Sequence, residues 1–159
     1  MAAREKVDNF AGRICKIVLP IKQEYYPGRG QASAICTLSS LDLMDRISQM
    51  APVMGRVAIV GRLLSENKGI DAIIKFAIEH PGLERIILCG KEVKGHRAGQ
   101  ALLSLSKNGI DIKGKIIGAT GPYPSLSTNR DEIDMFRKKV VIVDLVGSTD
   151  IAKIIELVA

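Results

Sequence analysis

His96 is the residue whose type and setting bear most directly on chemistry. It stands in the segment Cys89–Gly90–Lys91–Glu92–Val93–Lys94–Gly95–His96–Arg97–Ala98–Gly99–Gln100, where an apolar run that reads as a strand gives way to a helical periodicity. Gly90, Gly95 and Gly99 strip side chains from its surroundings, which lets a ligand approach the backbone. At or just before the first turn of a helix, the positive helix end favours a neutral imidazole, the form that ligates a metal. No neighbouring His, Cys, Asp and Glu set completes a zinc tetrahedron. A lone histidine more often caps or lines a loop. A metal that brings its own equatorial ligands, such as haem iron or corrinoid cobalt, needs only one from the protein.

Two further loops could frame a ligand beside it. Gly118–Ala119–Thr120–Gly121–Pro122–Tyr123–Pro124 is small, apolar and stiffened by proline. Pro122 and Pro124 oppose an immediate helix and no third glycine follows, so the segment falls short of a dinucleotide-binding turn. Gly61–Arg62–Leu63–Leu64–Ser65–Glu66–Asn67–Lys68–Gly69 could pack Leu63 or Leu64 on a macrocycle while Ser65, Glu66 and Asn67 hydrogen-bond its amides. An ordinary helix start capped by Ser65 or Asn67 explains the same residues equally well. His80, in His80–Pro81–Gly82, reads as a helix stop. Cys89 closes a buried strand with no activating base in sight, which argues against a nucleophile.

The elements that must position these loops alternate. Strands are expected at Ala32–Leu38, Arg56–Val60, Arg85–Cys89, Lys115–Ile117 and Val140–Leu145, and helices at Leu41–Met50, Lys68–Glu79, Gly99–Lys107, Arg130–Lys138 and Asp150–Val158. Val57–Val60, Ile86–Leu88 and Val140–Val143 are near-continuous apolar stretches, the pattern of parallel strands buried on both faces. The expectation is an α/β, Rossmann-like, doubly wound and mostly parallel five-stranded sheet with helices on both faces. Ligands of such sheets lie beyond the carboxyl ends of the strands, which adds Ser39 to the candidate residues. Residues 1–31, with Pro20, Pro27, Gly28 and Gly30, read as an irregular arm packed on a single domain spanning 32–159.

A chain of 159 residues with 47% hydrophobic and 25% charged residues can bury a core, which excludes disordered and fibrous classes. The net charge of +6 is scattered, with no basic stripe interleaved with aromatics, so nucleic acid is not an expected partner. Cys15, Cys36 and Cys89 form no paired motif and point to a reducing compartment. No signal peptide or membrane-length apolar run is visible, so a cytoplasmic protein is expected.

The stretch Ile87–Leu88–Cys89–Gly90–Lys91–Glu92–Val93–Lys94–Gly95–His96 through Gly99–Gln100, then Asn108–Gly109 and Lys115–Ile116–Ile117–Gly118–Ala119–Thr120–Gly121, resembles the corrinoid-binding A-subunit of tetrahydromethanopterin S-methyltransferase. The similarity extends more thinly from about Ser33 to Val146. The resemblance implies a cobalamin-type corrinoid as cofactor and places His96 on the lower axial side of cobalt. It implies a methyl carrier acting with partner methyltransferase proteins, with methyl-tetrahydromethanopterin and coenzyme M as donor and acceptor. Together with the loop residues above, the expected corrinoid site comprises Ser39, Leu64, Ser65, Glu66, Asn67, Gly90, Gly95, His96, Gly99, Gln100, Gly118, Ala119, Thr120, Gly121 and Pro122.

Lys94 stands two places before His96, where better-known corrinoid methyltransferases carry an acid. Glu92, Glu66 and backbone carbonyls are the remaining candidates for the partner of its second nitrogen. Family members usually continue into a hydrophobic C-terminal anchor, whereas this chain ends in the amphipathic Ile151–Ala159, so a cytoplasmic homologue without a membrane anchor is expected. Two other readings stay open: a nucleotide- or anion-binding module with phosphate at Lys91, Lys94 and Arg97, and a corrinoid storage or delivery protein.

Overall fold

The computed structural model describes residues 24–158. In chain order they form β1 (Tyr25–Pro27), β2 (Ser33–Cys36), α1 (Leu41–Ser48), α2 (Ala51–Met54), β3 (Val57–Gly61), α3 (Lys68–Glu79), β4 (Arg85–Gly90), α4 (Ala98–Asn108), α5 (Arg130–Lys139), β5 (Val141–Val146) and α6 (Ile151–Glu156). The five strands lie in the order β1-β3-β2-β4-β5. β3, β2, β4 and β5 are parallel, and β1 runs antiparallel to β3 at the edge. This is the expected doubly wound α/β sheet.

Alternation along the strands builds two cores, because successive side chains leave opposite faces. Ala34, Cys36, Ile86 and Leu88 face one way and meet Ile70, Ile74, Leu102, Leu105, Ile133 and Phe136 from α3, α4 and α5. Ile35, Ile87 and Cys89 face the other way and meet Leu43, Met44, Ile47, Val53 and Ile154 from α1, α2 and α6. The apolar residues of α3 recur at helical spacing, and Ile70, Ile74 and Ala77 are the ones buried.

The fifth strand is not the one expected. Lys115–Ile117 makes only isolated bridges, Ile110 with Ile116 and Lys115 with Ser125, outside the sheet. A central parallel strand needs both faces covered. Ile116 is buried but Ile117 is 46% exposed, so the run is too short and too one-sided to compete. The edge place is taken by Tyr25–Pro27, where Pro27 is tolerated. Of the arm expected to be irregular, residues 1–23 lie outside the described residues and the remainder includes this strand. Helix α2, also unforeseen, starts with Pro52 in its first turn.

From β2 the chain winds to β3 on one side, then crosses by α3 to β4 on the other. The switch in winding direction falls between β2 and β4, where loops diverge and a crevice is expected. The β2 and β4 loops are cross-tied there. Ser39 donates both its N–H and its hydroxyl to the Lys91 carbonyl, at 3.1 and 2.7 Å. The Lys91 N–H donates to the Ser40 hydroxyl at 2.8 Å.

Candidate functional site

The site is assembled around a buried carboxylate. Glu66 lies in the segment between β3 and α3 and is fully buried. Its Oε2 accepts from His96 Nδ1 at 2.8 Å, and its Oε1 accepts from the Tyr123 N–H at 2.8 Å. Burial opposes ionisation of Glu66. Hydrogen bonds from its own N–H, from Tyr123 and from His96 outweigh it and hold the carboxyl below its ordinary 4.5.

An ionised carboxylate can only accept, so the proton of the His96–Glu66 bond sits on Nδ1. In the neutral ring that leaves a lone pair on Nε2, which makes no hydrogen bond among the described residues. The His96 side chain is 46% exposed while its partner is sealed from solvent. Carboxylate, imidazole, then an available nitrogen is the arrangement that orients a metal-ligating histidine.

Glu92, the other acidic candidate, has a different task. Helix α4 starts at Ala98 after Arg97, which is left-handed (φ 51°) and offers no side-chain cap. Glu92 reaches back to supply one: Oε1 accepts from Gly99 N–H at 3.0 Å and Oε2 from Gln100 N–H at 2.8 Å. Its charge there also complements the helix dipole. Gly99 permits this, because a Cβ on it would lie 2.9 Å from Glu92 Oε2 and 3.0 Å from Leu38. The two helix amides that the anion-binding reading needs are therefore already engaged. Lys91, Lys94 and Arg97 are all exposed.

The segment Gly118–Tyr123 reaches the site as a strap between α4 and α5 rather than as a strand-end loop. Gln100 Nε2 donates to the Gly118 carbonyl (2.8 Å) and to Ser104 (2.9 Å); Oε1 accepts from the Thr120 N–H (3.0 Å) and hydroxyl (3.2 Å). The strap then presses on the histidine. A Cβ at Gly121 would fall 2.2 Å from the His96 carbonyl and 2.9 Å from Glu66 Oε1, so only glycine fits. Gly-Ala-Thr-Gly thus serves close backbone packing against His96.

The structure thus brings two hydrogen-bonded groups together, Glu66 with His96 and Gln100 with Gly118 and Thr120, beside Gly99, with Gly121 packed between them and Ala119 packed on the core. Ser39 and Gly90 sit at the β2–β4 crossing. Ser65 and Asn67 serve the start of α3, accepting from Gly69 N–H at 2.9 Å and Lys68 N–H at 2.7 Å. Leu63 is buried in the core, and Leu64 is exposed. Gly95 and Pro122 are exposed loop residues. Sequence reasoning left out the Tyr123 amide and Ser104; a backbone donor has no residue-type signal, and Ser104 lies one helical turn beyond Gln100.

His80 has the structural role expected of it: it stacks on Phe76 at 3.8 Å, with Nδ1 and the Phe76 carbonyl 2.8 Å apart. Burial pushes the Cys36 and Cys89 thiols up to about 12, which makes both poor nucleophiles at neutral pH. Cys15 lies outside the described residues. A cavity of about 480 Å³ lined by Asp71, Lys75, Glu79, Ser127 and Thr128 contains none of the His96 network. No group of three or more His, Cys, Asp and Glu side chains among the described residues could hold a metal ion. None of the described helices is long and apolar enough to cross a membrane.

Comparison with known proteins shows the family. The family model MtrA, which describes the A-subunit of tetrahydromethanopterin S-methyltransferase, matches residues 19–159. The chain is 36% identical over 141 residues to the tetrahydromethanopterin S-methyltransferase A-subunit of Methanocaldococcus jannaschii, covering 87% of this chain and 56% of that protein. It is 43% identical over 132 residues to form 1 of the Methanothermobacter thermautotrophicus A-subunit, covering 82% of this chain and 53% of the relative. Against form 2 from the same organism it is 42% identical over 101 residues, 62% of this chain and 55% of the relative. The chain thus spans little more than half the length of these relatives. It belongs to the A-subunit family of tetrahydromethanopterin S-methyltransferase.

Proposed function

We propose that this chain binds a cobalamin-type corrinoid and serves as a methyl carrier in a methyltransferase, with His96 on the lower axial side of cobalt. The observation that carries the proposal is the His96–Glu66 bond, a half-exposed imidazole oriented by a fully buried carboxylate. The donor set fits this cofactor. One available imidazole nitrogen suffices for a metal that brings its other ligands in a macrocycle, and it does not suffice for a bare ion.

When bound, the corrinoid supplies the cobalt that holds the methyl group in transit. The protein's own contribution is positional. Glu66 keeps the Nδ1 proton in place and presents Nε2 as the ligating atom. Gly121 brings the strap against the His96 backbone, and the exposed Pro122 and Leu64 offer apolar surface to a macrocycle. Cys36 and Cys89 are buried with raised thiols and take no part; methyl donation and acceptance are assigned to partner methyltransferase proteins. In keeping with the family, methyl-tetrahydromethanopterin is the proposed donor and coenzyme M the proposed acceptor.

The test is to mix the protein with hydroxocobalamin, desalt it and record the visible spectrum beside His96→Ala. Retained cobalamin with a His96-dependent band shift supports the assignment. Loss of all cobalamin from folded protein refutes it. Methyl exchange with a partner enzyme then separates a carrier from a storage protein.

A further inference from the structure

We propose that Gln100 is a positioning residue that holds the strap Gly118–Tyr123 at its working distance from His96 and thereby sets the affinity of the site. The consequence for affinity rests on the corrinoid reading above; the hold on the strap does not.

A carboxamide has two N–H donors and two acceptor lone pairs, and in Gln100 all four are used within the protein. Nε2 donates to Gly118 and Ser104, and Oε1 accepts twice from Thr120. The orientation of the amide is dictated by its partners. The Gly118 carbonyl can only accept and the Thr120 amide can only donate, so a flipped Gln100 would lose both bonds. Gln100 therefore has no hydrogen-bonding capacity left for a ligand. Its effect on the site must pass through the strap.

The strap carries that effect to the histidine. Gly118 and Thr120 are gripped by Gln100, and Tyr123 by Glu66. Gly121, between the two grips, lies so close to the His96 carbonyl that no Cβ fits. Two anchors on one short, proline-stiffened segment make it move as a unit, so releasing the Gln100 end should loosen the Glu66 end. Gln100 is itself seated on the first turn of α4, which Glu92 caps. Its place relative to His96 is thus set by the same helix start.

Hydrogen exchange of the cofactor-free protein and hydroxocobalamin titration, each on wild type, Gln100→Ala and Gln100→Glu, test the inference. Gln100→Glu keeps the shape and the acceptor toward Thr120 but cannot donate to Gly118. The expected result is tenfold or faster exchange at both Thr120 and Tyr123 in Gln100→Ala, with a smaller increase in Gln100→Glu. Cobalamin affinity should fall about tenfold in Gln100→Ala while the His96-dependent band at saturation is unchanged. Faster exchange at Thr120 alone, with Tyr123 as in wild type, would overturn the inference, as would wild-type cobalamin affinity in Gln100→Ala when the wild type itself binds cobalamin. A wild type that binds none refutes the corrinoid reading, and the exchange at Tyr123 then decides the role of Gln100 by itself.

Discussion

Glu66 and Asp71 stand five residues apart around the start of α3, and both reach the long segment between α4 and α5. Asp71 gives its carboxylate wholly to Ser127 and Thr128, accepting from both N–H groups and from both hydroxyls at 2.6 Å. Glu66 divides its oxygens between the Tyr123 amide and His96. In each case burial opposes the charge and hydrogen bonds overcome it, leaving the carboxyl below its ordinary value. Carboxylate electrostatics therefore does not distinguish a loop clasp from a functional site. What distinguishes them is the partner: the hydroxyls bonded to Asp71 have given their one proton and keep only weak acceptor oxygens, whereas the imidazole bonded to Glu66 retains a second nitrogen able to ligate a metal.

The largest expected break in this comparison is Glu66→Gln. Its amide can still accept from Tyr123, but it presents an N–H to Nδ1 and so selects the ring tautomer with the proton on Nε2. Cobalamin affinity should fall about 10–100-fold, and ¹⁵N NMR of the His96 ring should report the exchanged tautomer. Wild-type affinity in this variant would show that Glu66 does not orient the ligand.

Gly121→Ala comes next. Its new methyl would meet the His96 carbonyl at 2.2 Å, and forcing strap and loop apart should cost about 1–3 kcal/mol, measured by urea denaturation. Asp71→Ala should cost less, about 1 kcal/mol, because the bonds it removes are largely solvent-exposed. It should leave cobalamin binding intact. An equal loss of binding in Asp71→Ala would erase the distinction between clasp and site.

The smallest effect is the acid dependence. Both carboxyls bind protons less readily folded than unfolded, so their stabilisation is complete above the ordinary values of 4.5 and 3.8. As pH falls below those values the unfolded chain takes up protons first, and stability declines toward each folded value. Denaturation midpoints against pH should slope in this range, and Glu66→Gln and Asp71→Ala should each flatten part of the slope. A wild-type curve already flat below 4.5 would mean that neither carboxyl is linked to folding.

Much of the scaffold was legible wherever a pattern was long enough to constrain the chain. The expected helix Lys68–Glu79 coincides with α3, and Arg85–Cys89 is β4 less one residue. A long helical spacing or a run of continuous apolar character leaves few alternatives. Three-residue segments do not. Tyr25–Pro27 is a strand because the edge of β3 accepts it, and Lys115–Ile117 is not one because it is covered on one face only and makes just two isolated bridges.

The histidines show the same limit at the level of single residues. Both stand at helix ends, and His80 could be read as structural from His-Pro-Gly alone, because its partner Phe76 is one turn away. His96 could be marked as a candidate by its glycines and its place after a strand. Glu66 and Glu92 could not be told apart as its partner. The nearer acid, Glu92, is drawn to the open amides of α4, and the one thirty residues upstream fills the place beside the ring. The sequence by itself determined the alternating α/β order, the apolar faces and the histidine at a strand-to-helix junction, because these follow from local spacing. Only the tertiary structure decided which carboxylate orients the imidazole and why Gly121 must be glycine, because both depend on distances between segments that the sheet and its crossovers bring together.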